Sequence, residues 1–409
     1  MNAAVALGFG IPIGLVFTLP LLAWDRLRAS ADDARAVVAF PALMVAAEWA
    51  QTTFTPLGSW GAAAYTQVED LALLQVASVF GLAGVSAVVY GVAAALDHAW
   101  HHPGEARPRW LAIAAALLLI PQGLGQLRLA MAPEERPTAR VAAVGTDATF
   151  GGLPLPSPEA LARIDEGLFR RSREAAAAGA QIVVWNEGAT LATPETEGAL
   201  VARAQRLAAE AHVDLVVAYI VPVSLDPLRY ENKYAWIRPD GSLDHSYLKR
   251  VPVPGEPAIP GAEGPSRVET AAGAASGAIC YDYDFPAEGR ARAALGVDLV
   301  ALPSSDWRGI DPIHTQMASL RAIEGGYALL RSTRMGLSAG IDGYGRIRGW
   351  MSANESDERI LLVSLPTQRI PTLYPVIGDA LVYLGLAYVA GLSAALLLRR
   401  RSWVVMAAT

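Results

Sequence analysis

The chain has 409 residues, of which 53% are hydrophobic and only 18% charged, with a formal net charge of −6. Soluble domains average about 25% charged residues, so this composition describes a membrane protein carrying a sizeable soluble part. The mild negative charge and the lack of a basic stripe argue against nucleic acid as a partner. A single cysteine, Cys280, excludes an intramolecular disulfide and any CxxC metal or redox motif.

In chain order, residues 1–24 carry no charge before Asp25, and the charge-free runs 71–96 and 380–398 likewise meet the roughly 20 residues that a bilayer core demands of a helix. Residues 110–127 contain Pro121 but read as a further span, and 36–53 is interrupted by Glu48. The arginines decide that last case. Arg26, Arg28 and Arg35 follow the first run, Arg107 and Arg109 precede the fourth, and Arg399, Arg400 and Arg401 follow the last. The positive-inside rule places all three groups in the cytoplasm only if 36–53 also crosses. The amino terminus is then outside, the carboxyl terminus inside, and the stretch between residues 130 and 375 on the outer face. With no basic n-region, the first run reads as a retained span rather than a cleaved signal sequence. The expected organisation is a transmembrane region of about four helices at 1–130, a catalytic domain at 138–366 and a last transmembrane helix at 376–401.

Within the soluble part, β-rich runs at 140–148, 181–187, 214–223, 276–280, 297–304 and 359–366 alternate with helical stretches at 158–178, 196–211, 287–295 and 312–326. This alternation predicts an α/β layered domain whose sheet is buried on both faces. Three strand ends carry reactive side chains: Glu187 closes IVVWNE, Lys249 follows HSYL, and Cys280 ends GAIC. In layered α/β sheets, strand ends are where loops from distant parts of the sequence meet. A free thiol is only slightly ionised at neutral pH. A carboxylate can take its proton and return it to a leaving group. An ammonium lowers the thiol pKa and, with the backbone N–H of Tyr281, stabilises an oxyanion. Together the three side chains make a nucleophilic site that works through a thioester.

With these residues in this order, the sequence resembles the nitrilase, or carbon-nitrogen hydrolase, superfamily. With spans on both sides it is similar to the membrane-anchored branch, the apolipoprotein N-acyltransferases. The likeness includes EWAQTTFTPLGSWGAAAYTQ at 48–67, VPVPGE ending at Glu256, PSSDW at 303–307, the long run 314–347 and TLYPVIGD at 372–379. The chain departs from the family's pattern with Asn186 in place of proline, Asp282 in place of glutamate, a shorter loop from Lys249 to Glu256, and fewer spans ahead of the soluble part. The resemblance implies a four-layer α-β-β-α sandwich inserted between transmembrane helices. It implies Cys280 as nucleophile, Glu187 as general base and then acid, Lys249 as oxyanion stabiliser and Glu256 as a helper. Tyr281 and Asp282 are candidate supports beside the thiol, and Trp60 and Trp307 candidate lining of a lipid entrance. The implied donor is a phospholipid and the implied acceptor the α-amine of a lipoprotein's diacylglyceryl-cysteine. The implied setting is the bacterial inner membrane with the catalytic domain on its outer face, and no metal or organic cofactor is implied. A membrane-anchored amidase and a catalytically degenerate membrane binding module are the alternatives. HAWHH, with His98, His101 and His102, reads as a loop rather than a metal site; His314 as the start of a supporting helix; and Arg321, Glu324 and Arg331 as an ion-pair network under the sheet.

Overall fold

The structure is a computed structural model that describes residues 3–29, 33–104, 106–133, 137–150 and 152–407, with the side chains of 3–9, 12, 13, 16, 33 and 399–407 left out. The chain divides into two compact units, Met1–Ala132 with Val376–Thr409, and Pro133–Pro375.

The first unit is helical. It opens with α1 (Ala3–Arg28), α2 (Asp33–Phe54), the single turn α3 (Leu71–Leu74), α4 (Ala77–His101) and α5 (Ala106–Ala130). Among the described residues, four helices are long and apolar enough to cross a membrane, at Ala34–Phe54, Ala77–His101, Ala106–Ala130 and Ala380–Leu398. Many side chains of the first expected span lie outside the described residues, as do those of Arg399, Arg400 and Arg401. Glu48, which interrupts the second span, is engaged within the unit: its Oε1 accepts from the Ala63 N–H at 2.8 Å and from the Tyr90 hydroxyl at 2.7 Å. The apolar run 71–96 does not form one helix. The Asp70 carboxylate caps α3 by accepting from the Leu73 N–H at 3.1 Å, the long helix starts only at Ala77, and it is broken again at Gly81, where φ is +62°. The span therefore slides toward the carboxyl end and takes in Asp97. For the same reason the histidines expected on a loop close a helix: His98 and His101 belong to the last turn of α4, and His102 is its C-cap.

In the second unit, β1 (Thr138–Val144) leads to α6 (Pro158–Ala177), β2 (Ile182–Trp185), β3 (Thr190–Leu191), α7 (Glu197–Ala211), β4 (Asp214–Leu225), β5 (Leu228–Ile237) and β6 (Leu243–Leu248). There follow β7 (Val268–Thr270), β8 (Gly273–Gly277), α8 (Pro286–Ala294), β9 (Leu299–Ser305), α9 (Ile313–Gly325), β10 (Ala328–Arg334), β11 (Leu337–Ile341), β12 (Ile347–Ser352) and β13 (Ile360–Pro366). The short α10 (Tyr374–Ile377) precedes α11 (Ala380–Ala407), which returns to the helical unit and packs on α2. Among the described residues the strands form two sheets. The first runs β13-β1-β2-β4-β5-β6, with β3 beside β4, and the second runs β12-β11-β10-β9-β8-β7.

The periodicity of the strands decides the layering, because alternate side chains face opposite sides. Val141, Val184, Val216 and Trp236 of the first sheet meet Ala275, Leu299 and Leu330 of the second between the sheets. The opposite face of the first sheet buries Val183, Trp185, Leu215 and Val217 against Leu168 and Phe169 of α6 and Leu207 of α7. The outer face of the second buries Val300, Leu302 and Leu329 against Ala293 of α8 and Ala318 and Ala322 of α9. The result is a four-layer α-β-β-α sandwich. Each fully buried Val, Leu or Phe contributes about 1.5–3 kcal/mol, so all three interfaces hold the layers.

Two close approaches constrain the sandwich locally. A Cβ on Gly277, the last residue of β8, would stand 2.3 Å from the Tyr234 hydroxyl oxygen on β5 of the facing sheet, so the strand leading to Cys280 takes this path only as glycine. At the edge of the first sheet, β1 pairs antiparallel with β13, Thr138 opposite Pro366, and the Thr367 N–H donates to the Pro137 carbonyl at 3.0 Å.

Candidate active site

Glu187 lies just beyond β2, where the Glu187 N–H crosses to the second sheet and donates to the Ser304 carbonyl of β9 at 3.2 Å. Asn186, where proline was the family pattern, helps to fix this corner. Its Oδ1 accepts from the Thr146 N–H at 2.8 Å, and its Nδ2 donates to the Glu187 carbonyl at 2.9 Å. Lys249 follows β6, and its N–H donates to the Asn232 carbonyl on β5 at 2.8 Å. Its ammonium sits between two carboxylates, 2.8 Å from Glu187 Oε1 and 2.8 Å from Glu256 Oε2. Glu256 Oε2 also accepts from the Val253 N–H at 2.8 Å, an acceptor role that folds the VPVPGE loop around the lysine.

Asn232, which carried no signal in the sequence, joins the same cluster. Its Nδ2 donates to Glu187 Oε1 at 2.7 Å and to Glu256 Oε1 at 3.1 Å. Glu187 Oε1 is thus engaged twice, and Oε2 has no hydrogen-bond partner among the described residues. Burial works against the Lys249 ammonium, but Glu187 and Glu256 outweigh it and hold the amine well above its ordinary value. The converse holds for Glu256: against burial, Lys249 keeps it below the usual carboxylate range.

Cys280 opens a 3-10 turn, Cys280–Asp284, with φ at +43°, a left-handed conformation that a non-glycine residue adopts only when its surroundings enforce it. Asp282 provides that enforcement. Its Oδ2 accepts from the Ile279 N–H at 3.0 Å and the Tyr247 hydroxyl at 2.8 Å, and its Oδ1 accepts from the N–H groups of Arg250 at 3.1 Å and Val251 at 2.9 Å. The carboxylate stitches the thiol's turn to the segment just after Lys249. Burial pushes Asp282 up to about 6. Tyr281 is buried, its ring edge-on to Phe285.

The Cys280 thiol is 4% exposed and donates to the Ser305 carbonyl at 3.5 Å. Burial and then the charge of Glu187 push it well above its ordinary value, against the pull of Lys249 and Arg331. The ammonium does lower the thiol, as expected, but burial and the neighbouring carboxylate outweigh it. The resting Cys280 side chain is a protonated thiol.

Glu187, Lys249, Glu256 and Cys280 line one cavity of about 480 Å³, with Trp307, 55% exposed, at its wall. Tyr281 and Asp282 are not among its lining residues, and Trp60 belongs to the helical unit, where its carbonyl accepts from Gln51 Nε2 at 2.8 Å. At the cavity wall, Asp306 accepts from Arg331 at 2.8 and 2.9 Å, while His314 contacts Asp306 through Nδ1 at 2.7 Å and Asp284 through Nε2 at 2.8 Å. Burial opposes the His314 charge, but Asp284 raises it to about 9. Arg331 is paired with Asp306, and Arg321 with Glu324 at 2.9 Å. Possible ligand atoms of Cys280, Asp306 and His314 lie within 4.8 Å of one another, yet both imidazole nitrogens and both Asp306 oxygens are engaged in hydrogen bonds, which describes a charge network rather than a metal centre.

Residues 161–372, more than half of the chain, match the family described as carbon-nitrogen hydrolase. The chain belongs to that family. Residues 1–95 match the apolipoprotein N-acyltransferase N-terminal domain, so this carbon-nitrogen hydrolase carries its domain behind a second recognisable region. It is 28% identical over 370 residues to an apolipoprotein N-acyltransferase of Pseudomonas putida, covering 83% of this chain and 71% of the relative. It is 29% identical over 424 residues to one of Bradyrhizobium diazoefficiens, covering 94% and 76%. A solved amidase from Nesterenkonia sp. is 22% identical with a TM-score of 0.49, covering 61% of this chain and 96% of that one.

Proposed function

We propose that this carbon-nitrogen hydrolase is a membrane-embedded N-acyltransferase that moves an acyl chain from a phospholipid to the amino-terminal diacylglyceryl-cysteine of a lipoprotein. The carrying observation is the shared cavity, in which a buried thiol, a carboxylate with one unengaged oxygen and a clamped ammonium come together. The regions matched at both ends of the chain support the same reading.

In the first half-reaction Glu187 takes the Cys280 proton as the sulfur attacks the ester carbonyl. The S–C bond forms, and Lys249 and the Tyr281 N–H stabilise the oxyanion. The C–O bond then breaks, the lysophospholipid alkoxide takes the proton back from Glu187, and a thioester remains. In the second half the lipoprotein amine attacks that thioester, gives its proton to Glu187, and the C–S bond breaks as the thiol is restored. Glu256 keeps Lys249 charged throughout. Trp307 is assigned to the passage of lipid at the cavity wall, and Trp60, by itself, to lipid contact within the helical unit. Placing the chemistry at the outer face of the inner membrane makes both lipid-bound reactants local, which raises their effective concentration. Intact-mass measurement after incubation with phosphatidylethanolamine tests this. An acyl adduct on Cys280 that a diacylglyceryl peptide discharges is the expected result. Ammonia release from small amides without any adduct overturns it in favour of hydrolysis.

A further inference from the structure

Resting on the acyl-transfer reading, we propose that Arg334 recognises the phosphodiester of the donor lipid. Arg334 ends β10 and lines the same cavity as Cys280. Its guanidinium is held by neutral acceptors: Nε and NH2 donate to Ser305 Oγ at 3.1 and 2.5 Å, NH1 donates to Thr149 Oγ1 at 2.5 Å, and the Met335 sulfur is 3.7 Å away. No carboxylate among the described residues pairs with it. The other charged groups at the cavity have direct ion-pair partners, Lys249 with Glu187 and Glu256, and Asp306 with Arg331. Arg334 is thus a half-buried cation fixed in place by neutral hydrogen-bond acceptors; burial draws its guanidinium below the ordinary value, and the carboxylates of Glu187, Asp306 and Asp147 act on it only from beyond ion-pair distance. Its planar fork can take two phosphate oxygens at once, exchanging neutral acceptors for charged ones.

Position narrows the anion. Ser305 touches both partners, since its hydroxyl holds Arg334 and its carbonyl accepts the Cys280 thiol. Cation and nucleophile therefore flank one residue, and in a glycerophospholipid only the glycerol separates the ester from the phosphate. Phe150, Val253, Trp307 and Met335 supply apolar surface to the same cavity, Trp307 and Met335 being 55% and 37% exposed. One cation beside an apolar wall suits an amphiphile with a single anionic group.

The test uses the full chain in detergent and measures the rate of Cys280 acylation by dioleoylphosphatidylethanolamine and by dioleoylglycerol, which has the same acyl esters and no phosphate. The readout is the ratio of the two rates, from which any misfolded fraction cancels. The wild-type protein is expected to favour the phospholipid, Arg334→Gln to lower the ratio roughly 10- to 100-fold, as loss of a charge-assisted pair does, and Arg334→Lys to retain part of it. A ratio unchanged in Arg334→Gln, including equal slowing of both donors as oxyanion stabilisation would give, overturns the inference while leaving acyl transfer standing. If the wild-type chain takes an acyl group from neither lipid, both readings fall.

Discussion

Glu187 raises the thiol of Cys280 and, in the proposed mechanism, is also the group that unloads its proton. The two effects separate on substitution. Glu187→Gln removes the negative charge, so the pH midpoint for alkylation of Cys280 by iodoacetamide is expected to move down, while acyl transfer falls by about 10²-fold or more for want of a base. A stopped-flow or mass-based pH profile checks the first and a transfer assay the second. His314 offers a stability counterpart. Its folded value of about 9 lies above the ordinary 6.5, so its pairing with Asp284 contributes fully below the unfolded value and is lost as pH rises through about 9. Thermal melts are expected to show a wild-type loss on the order of 3 kcal/mol across that window that His314→Gln lacks. At this scale the acid, the lysine and the cysteine were legible, because each interrupts an apolar run with a reactive group. Asn232 and Arg334 were not: a polar residue on a strand looks solvent-facing until the strand opposite it is known, and both acquire meaning only from partners far away in the chain.

The element that leads to Cys280 is β8, and its last residue leaves no room. Gly277→Ala is expected to force Tyr234 and the facing strand apart, at a cost of roughly 1–3 kcal/mol of stability in a denaturant titration. It should also lower Cys280 reactivity, since the thiol's left-handed turn begins three residues on. The strands buried on both faces, such as β2 and β9, stood out as continuous apolar runs. Strands β5 and β12 did not. β5 begins LRYENK, with buried Tyr230 and Asn232 separated by a partly exposed Glu231, and β12 interrupts its apolar residues with Arg348 and Gly349, so neither reads as an apolar run. The long apolar stretch before α4 misled in the other direction, because apolarity specifies burial or lipid and not where a helix starts; the Asp70 cap and the Gly81 break do that.

For the molecule as a whole, the arginine distribution makes a sided prediction. In a Cys280→Ala background, a cysteine at Asp226, in the turn between β4 and β5, is expected to react with a membrane-impermeant maleimide added to spheroplasts. One at His102, at the end of α4, is expected to react only after permeabilisation. Labelling of both from outside would reverse the assigned orientation or the number of crossings.

The pairing of β1 with β13 has a consequence for how such a chain is assembled. Because Pro137 and Thr367 are hydrogen-bonded neighbours, the folded sandwich hands the polypeptide back beside the point where it received it, about 5 Å away. To the helices, a long excursion then behaves as a tight hairpin, and α11 can find α2 with little loop-closure entropy left to lose. Excising 138–366 and joining the stubs through a few glycines is accordingly expected to leave a bundle that still inserts, the catalytic portion being a cassette clipped into it at one seam.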